Sequence, residues 1–334
     1  MDLQTRIELM AKLGQYMLGN DEEWVSAKWL AEQKNAWFTS EFIELATINI
    51  AQNFLQKDAL EKWVSHYPVQ DLHTPKNVGL VMAGNIPLVG FHDFLTLFIS
   101  GHHQTIKLSS KDDVLMPAIV NWMLQQHPML QERIQFSETL KNKDAYIATG
   151  SNHAGKYFEL YFGKYPHLIR KNKTSVAILD GSETEAELKS LSDDIHLYFG
   201  LGCRNVTHLY VPEGYNFEPL LHQFNAYQHF SDHHKYKNNY DYQLSLLLLN
   251  HVFYMTQGST LLSENHEIFS PISQVYYSYY PAGSEVMHDE NFIRQKESIQ
   301  AIIGRKHLAF GQAQSPGLMD YADQTDTFQF LLSL

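Results

Sequence analysis

The chain has 334 residues, of which 44% are hydrophobic and only 11 are proline, so it can bury a sizeable core and has no disordered bulk. Its formal net charge of -12 argues against a broad nucleic-acid-binding surface. A single cysteine excludes an intrachain disulfide, no apolar run approaches the roughly 20 residues of a membrane span, and the first residues lack the apolar stretch of a secretion signal. These features predict a cytoplasmic protein without a membrane span.

The first 70 residues carry apolar side chains at helical spacing, which predicts a helical N-terminal segment. From residue 77 onwards, short apolar runs alternate with amphipathic stretches. The apolar runs predict strands at 78–83, 105–108, 134–136, 145–148 and 175–179. The amphipathic stretches predict helices at 87–100, 114–126, 154–162 and 183–198. Strands that alternate with helices indicate an α/β fold with a mainly parallel sheet covered on both faces.

Three polar clusters fall where predicted strands end, which is where open parallel sheets bind ligands. They are Gly84-Asn85-Ile86-Pro87, Lys107-Leu108-Ser109-Ser110 and Thr149-Gly150-Ser151. Pro87 suits the first turn of a helix, Asn85 can present an amide, Lys107 offers a cation, and Ser151 can begin a helix whose N–H groups face an anion. Each cluster alone also fits an ordinary turn or cap. Together they predict a dinucleotide-sized site without the usual glycine-rich fingerprint.

The only cysteine, Cys203, follows Gly200 and Gly202 and precedes a β-branched run at 206–211. Glycines allow a sharp turn that brings backbone N–H groups close to a substrate oxygen, and a following strand gives the turn a rigid base. This setting suits a nucleophile. The alternative is a small buried apolar residue, since free cysteine is among the most buried residue types.

The order of the three clusters, the Gly200–Cys203 turn and Glu267-Ile268-Phe269-Ser270-Pro271 resembles the aldehyde dehydrogenase superfamily over about residues 75–280. Within it, the chain most resembles the acyl-CoA reductases of the bacterial luminescence (LuxC) type. The resemblance implies an aldehyde-dehydrogenase-like fold, with a parallel-sheet cofactor domain, a second α/β catalytic domain and an N-terminal helical segment. We expect a helical segment at 1–70, a dinucleotide-binding domain at 71–199, a catalytic domain at 200–305 and a C-terminal segment at 306–334 that packs back on the first domain.

The resemblance also implies a role for each motif. Cys203 would be the nucleophile, and Asn85 with the Cys203 backbone N–H would hold the developing oxyanion. Glu267 would contact the nicotinamide ribose, although an ordinary surface carboxylate is the alternative reading. The remaining implied cofactor contacts are Lys107, Ser109 and Ser110 on the adenosine side and Thr149, Gly150 and Ser151 near the pyrophosphate.

Two departures from the superfamily refine the expected reaction. Where hydrolytic members carry Glu-Leu-Gly-Gly-Lys, this chain has Ile169-Arg170-Lys171-Asn172-Lys173, so the general base that would activate water is missing. Loss of this base favours reduction of an acyl thioester, either a fatty acyl-CoA or an acyl-carrier thioester, to the aldehyde. Ser110 stands where NAD-preferring members commonly have a glutamate, which favours NADPH, with NADH as the alternative.

Two other functions stay open from the sequence alone: an acyltransferase or thioesterase that uses Cys203 without a nicotinamide, and a non-catalytic scaffold of the same fold. A homo-oligomer is also an open alternative. The histidine-rich stretch 229–242 is interpreted as a polar loop near the acyl or coenzyme A entrance and not as a metal site, because neighbouring histidines on such loops are usually solvated. The basic run 170–173 is interpreted as a solvated turn, with a phosphate contact as the alternative.

Overall fold

The computed structural model describes residues 1–69, 74–281 and 284–334. The chain forms two compact units. The first comprises Met1–Asn172 and Pro316–Leu334, and the second comprises Lys173–Ser315. The C-terminal residues 316–334 therefore pack with the first unit.

Four helices form the N-terminal segment, as the apolar spacing predicted: α1 (Leu3–Leu18), α2 (Glu22–Lys34), α3 (Ser40–Asn53) and α4 (Lys57–Val64). Side chains that accept N–H groups of the first turn begin three of them, namely Asp2, Asp21 and Thr39. Their buried faces join the apolar core of the first unit.

The first unit contains a five-stranded parallel sheet. Its strands are β1 (Asn77–Val81), β2 (His103–Lys107), β3 (Ile134–Phe136), β4 (Ala145–Thr149) and β5 (His167–Arg170), in the order β3-β2-β1-β4-β5. The helices of this part are α5 (Phe91–Ser100), α6 (Leu115–Gln126), α7 (Asn152–Phe162) and, from the C-terminal residues, α12 (Thr327–Leu332).

Two local predictions for the first unit are wrong. Helix α5 begins at Phe91, and Pro87 lies in the turn before it. Strand β5 was not predicted, and its last residue Arg170 does not lie in a solvated turn. Instead Arg170 is buried, and its Nη2 donates to Asp93 Oδ1 and to Thr327 Oγ1, each at 2.6 Å. Burial of a charged strand end requires these partners, which lie far away in the sequence.

The second unit is built on a six-stranded sheet in the order β11-β6-β7-β10-β9-β8. All neighbouring strands are parallel except β8 and β9, which are antiparallel. The strands are β6 (Thr174–Ile178), β7 (Val206–Pro212), β8 (Tyr254–Thr256), β9 (Leu261–Glu264), β10 (Gln274–Tyr280) and β11 (Ile299–Ile303). The helices are α8 (Glu185–His196), α9 (Glu218–Phe224), α10 (His234–Leu249) and α11 (Glu290–Gln295). The aromatic run 276–280 thus lies in a strand of the second unit.

The second unit begins earlier than expected, at residue 173 rather than 200, because β6 pairs with β7 and β11 of the second sheet. The loop interpretation of 229–242 is wrong. A short 3-10 helix, Asn225–Asp232, leads into α10, where His233 accepts the N–H of Tyr236.

Within the described ranges no helix has the length and apolar character that crossing a membrane demands. Nor do three His, Cys, Asp or Glu side chains in those ranges come together as metal ligands would.

Candidate active site

The three polar clusters lie at the carboxyl ends of adjacent strands of the first sheet. Val81 of β1 is in register with Lys107 of β2 on one side and with Ala148 of β4 on the other. The chain builds one half of the sheet from β1 through β2 to β3 and then returns to the other side of β1 with β4. This change of direction makes the ends of β1 and β4 a topological switch point, where open α/β sheets bind ligands.

The loops after β1 and β2 pack directly against each other. A Cβ at Gly84 would lie 2.7 Å from Ser109 Oγ and 3.1 Å from the Asp112 backbone nitrogen, so only glycine allows this approach. Ser109 Oγ accepts the N–H of Lys111 at 3.2 Å. The first two clusters are therefore held together by close contact, and Ser110 in the second loop is exposed.

Lys107 ends β2 with a fixed side chain. Its Nζ donates to the backbone carbonyl of Glu138 at 2.7 Å, and its own carbonyl accepts the N–H of Met82. The ammonium group keeps further donors, because a lysine has three. Lys107 thus remains able to bind a ribose hydroxyl or a phosphate while this bond orients it.

Asp112 is a functional candidate that sequence reasoning missed. Its side chain is buried, and Oδ2 accepts the N–H of Leu88 at 2.8 Å, whereas Oδ1 has no hydrogen-bond partner. Burial raises the pKa of Asp112 to about 6. The signal that could have identified Asp112 is its position directly after the second cluster, three residues past Ser109.

The third cluster shapes the start of α7. Ser151 accepts the N–H of Ala154 at 3.2 Å and caps the helix, and a Cβ at Gly150 would approach Phe158 to 2.9 Å. At Gly155, by contrast, an added Cβ would lie 3.7 Å from Lys171 Cγ, an ordinary contact, and no closer atom of the described residues outside the backbone of α7 approaches it. The first turn of α7 therefore has space beside a cation. Backbone N–H groups, a serine cap and a lysine fit the pyrophosphate of a dinucleotide.

In the second unit, Cys203 lies in a turn, and the residues just before this turn have unusual backbone conformations. Tyr198, Phe199 and Gly200 all have left-handed φ values, of 56°, 56° and 73°. Only glycine adopts this region readily, so the two aromatic residues store strain, and both are buried. Cys203 itself is half-buried and is not part of a disulfide. A strained backbone next to a half-exposed thiol is typical of a functional turn.

Asn205 fixes the Cys203 turn and was also missed by sequence reasoning. It is fully buried, and its Oδ1 accepts the N–H of Gly202 at 2.8 Å. Its Nδ2 lies within hydrogen-bond distance of three carbonyls at the end of α8, of which the shortest contact, to Leu197, is 2.8 Å. From β6, Ser175 Oγ donates to the Cys203 carbonyl at 3.2 Å. The thiol is therefore carried by a backbone anchored on both sides.

A small cavity lies behind this turn, lined in part by Phe199, Gly200, His196 and Tyr236. Its volume is about 20 Å³, which is room for about one water molecule. His196 is neutral at physiological pH, because burial lowers its pKa to about 4. Its two ring nitrogens lie 2.7 Å from the Ser192 carbonyl and 2.9 Å from Thr260 Oγ1. The cavity is too small for an acyl chain, and His196 is already bonded on both sides.

Glu267 lies in the loop between β9 and β10, with an exposed side chain 3.7 Å from Arg294. Cys203 and Glu267 belong to the second unit, whereas Asn85, Lys107 and Ser151 belong to the first. The structure thus brings the three first-unit clusters to one sheet edge. In the second unit, β7, which follows the Cys203 turn, is connected to the Glu267 loop by hydrogen bonds of Thr207 and His208.

No protein-family model and no curated protein sequence matches the chain. Solved structures do match in fold. Aldehyde dehydrogenase 21 from Physcomitrella patens, in complex with the reaction product succinate, is 14% identical, with 91% of this chain and 74% of that one covered and a TM-score of 0.64. An NADP-dependent enzyme of E. coli is 10% identical, with 92% and 79% covered and a TM-score of 0.66.

An NAD-dependent aldehyde dehydrogenase from Sinorhizobium meliloti is 11% identical, with 91% of this chain and 70% of that one covered and a TM-score of 0.64. At such identities the likeness concerns the fold. The two α/β units of this chain, one built on a parallel sheet and the other on a mixed sheet, agree with this likeness. The chain therefore has the aldehyde dehydrogenase fold.

Proposed function

We propose that the protein reduces an acyl thioester, a fatty acyl-CoA, to the aldehyde with NADPH, through a thioacyl intermediate on Cys203. The observation that carries this proposal is the Cys203 turn. Its backbone is strained at Tyr198 and Phe199 and anchored by Asn205, and its thiol is half-buried. A preorganised nucleophile of this kind on an aldehyde dehydrogenase fold supports covalent chemistry at a carbonyl.

The first step is acyl transfer to the protein. The Cys203 thiolate attacks the carbonyl carbon of the thioester, the oxyanion collapses, and coenzyme A leaves as a thiolate. The departing thiol has a pKa of about 8.5 like other thiols, so it requires little help from an acid. The Cys203 backbone N–H and the Asn85 amide are the proposed donors to the oxyanion, which they would stabilise without adding charge.

The aldehyde dehydrogenase fold implies a nicotinamide cofactor, and the donors at the first sheet edge fit one. The fit rests on the space at Gly155 beside Lys171 and on the serine cap of α7. The residues proposed to hold the cofactor are Lys107, Ser109, Ser110, Thr149, Gly150, Ser151 and Glu267. When bound, reduced nicotinamide supplies the hydride that the reduction consumes. Because Ser110 is neutral and does not repel a 2′-phosphate, NADPH is the proposed form.

The residues 169–173 support reduction over hydrolysis. Ile169 lies within β5, paired with Ala148, and has no carboxylate to activate water. Arg170 is committed to its ion pair with Asp93. Without a base at this position, the thioacyl group on Cys203 should survive until it is reduced, after which Cys203 is released as the aldehyde departs. Overall, thioester, NADPH and one proton give aldehyde, free thiol and NADP⁺.

The decisive experiment gives the wild-type protein a labelled acyl-CoA with and without NADPH. Without NADPH we expect a stable adduct on Cys203 and little free acid, and with NADPH we expect aldehyde together with loss of nicotinamide absorbance. Rapid release of free acid without NADPH would establish a thioesterase instead, and transfer to an added thiol without aldehyde would establish an acyltransferase. Absence of any adduct on Cys203 would favour a non-catalytic scaffold.

A further inference from the structure

Strand β7 contains a bulge close to Cys203. In its pairing with β6, Ser175 is opposite Val206 and the next residue, Val176, is opposite His208. Thr207 is therefore an extra residue in β7. Bulges locally interrupt the alternation of side chains and often occur beside active sites, where they redirect a side chain. The position is informative here, because Thr207 is only four residues after the proposed nucleophile.

The bulge directs two successive side chains to the same loop. Thr207 Oγ1 donates to the carbonyl of Ile268 at 2.5 Å, and His208 Nδ1 lies 3.0 Å from the carbonyl of Glu267. Successive residues of a regular strand point to opposite faces, so a regular β7 would not bring both side chains to this loop. Strand β7 thus holds the backbone of the loop that carries Glu267.

Gln295 holds the same loop from another direction. Its Nε2 donates to the carbonyl of His266 at 2.8 Å, and its Oε1 accepts the N–H of Ile268 at 3.1 Å. Within the loop, Asn265 Oδ1 accepts the N–H of Glu267 at 3.0 Å. The backbone around Glu267 is therefore fixed by side chains, while the Glu267 carboxylate itself remains exposed. An exposed carboxylate on a fixed backbone is suited to binding a ligand.

The hydrogen-bond partners define the state of His208. The Glu267 carbonyl can only accept, so Nδ1 carries the proton, and Nε2 accepts from the Ser278 hydroxyl at 2.9 Å. Burial lowers the pKa of His208 to about 4, which keeps this neutral form at physiological pH. The Thr207 hydroxyl also lies 2.6 Å from the Thr174 hydroxyl. It can accept from Thr174 there while it donates its own hydrogen to the Ile268 carbonyl.

We propose that Thr207 and His208 are positioning residues, which set the Glu267 carboxylate for the ribose next to the nicotinamide. This inference rests on the proposed function, since it takes Glu267 as a cofactor contact. It adds that the strand leading away from the nucleophile also fixes the cofactor's reactive end. The bulge at Thr207 allows both Thr207 and His208 to bond to the loop that carries Glu267.

The test compares matched variants at each residue. Thr207→Val removes the donor to Ile268, whereas Thr207→Ser keeps it. His208→Gln keeps an amide near the Nε2 position and loses the bond to the Glu267 carbonyl, whereas His208→Asn keeps a donor near the Nδ1 position. For the Val and Gln variants we expect NADPH binding to weaken by roughly fivefold to tenfold, the effect of losing one hydrogen bond. The Ser and Asn variants should bind close to the wild type.

A second probe separates positioning from general damage. Adenosine bisphosphate contains the adenosine half of NADPH and lacks the nicotinamide ribose, so its affinity should be the same in all variants and in the wild type. Equal loss of both ligands, or NADPH affinity in the Val and Gln variants equal to that of the wild type, would overturn the inference. If the wild type itself fails to bind NADPH, it is the proposed function that fails. NADPH binding is measured by its nicotinamide fluorescence, because all five tryptophans lie in the first unit. Binding of adenosine bisphosphate, which has no nicotinamide, is measured by calorimetry.

Discussion

Asp112 holds the backbone of Leu88: its Oδ2 accepts the Leu88 N–H at 2.8 Å, and both residues are buried in the first unit. Leu88 has a left-handed φ of 56°, which a leucine adopts only when its surroundings impose it. Asn85, the proposed oxyanion donor, is three residues earlier in the same loop. A carboxyl of the loop after β2 therefore determines the path of the loop after β1.

Asp112 should make stability fall as pH rises. Its pKa is about 6 in the folded protein against 3.8 ordinarily, so the folded state retains a proton that the unfolded state has released. The contribution of Asp112 to the free energy of unfolding is therefore complete below about pH 4. It is lost as pH rises through about 6, and the loss is on the order of 2–3 kcal/mol. Urea unfolding across this range should show a steeper decline for the wild type than for Asp112→Asn. Parallel pH profiles for the two proteins would contradict this role.

Cys203→Ala should abolish both the acyl adduct and aldehyde formation, because no other cysteine exists to replace the nucleophile. NADPH binding should change little, since the adenosine and pyrophosphate contacts are proposed to lie in the first unit. Mass spectrometry of the protein after incubation with acyl-CoA measures the adduct. Turnover that persists in the alanine variant would remove Cys203 from the mechanism.

Asn85→Ala should slow acylation of Cys203 by roughly 100-fold or more, which is the usual effect of losing one oxyanion donor. The physical reason is that the amide interacts with negative charge only as that charge develops. Single-turnover acylation without NADPH isolates this step. The control is Asn20→Ala, which removes an exposed asparagine between α1 and α2 and should acylate normally. An unaffected rate in Asn85→Ala would place the oxyanion donor elsewhere.

Asn205→Ala should destabilise the protein by about 3 kcal/mol, because it leaves the Gly202 N–H and three carbonyls of the turn without their partner. Acylation should also slow in the folded fraction, since the Cys203 turn loses its anchor. Asn205→Asp keeps the acceptor for Gly202 but sets a carboxylate against carbonyls, so it should be at least as unstable. Denaturant unfolding measures both, and wild-type stability in either variant would refute the anchoring role.

The alternation of strands and helices, and the location of the polar clusters at strand ends, could be predicted from the amino-acid sequence alone. Apolar periodicity is local, so the residues around 78–83 and 145–148 were enough to predict β1 and β4. The same holds for the turn at Cys203, because the glycines and the β-branched run lie within a dozen residues. The resemblance to the superfamily likewise depended only on the order of short motifs.

Helix α10 shows why some elements could not be predicted from local apolar periodicity. Its buried residues Tyr236, Tyr240 and Leu247 lie on one helical face. The histidines that precede them, and the lysine and asparagines that follow Tyr236, suggested a solvated loop. The tertiary structure decides in favour of a helix, because packing against its neighbours stabilises a face that is weakly marked in the sequence. Two of its three buried residues are tyrosines rather than aliphatic residues, which concealed the pattern.

The partners of the buried polar groups could be identified only from the folded chain. The sequence alone interprets Arg170 as part of a basic turn, and only the fold brings Asp93 and Thr327 to it. Nothing in the local pattern indicates that Asp112 meets the Leu88 backbone. The bulge at Thr207 likewise depends on the register between β6 and β7. A buried charge or donor is stable only with a partner, and these partners are remote in the chain. Local sequence pattern determines periodicity and turns, whereas the three-dimensional packing determines which polar groups meet.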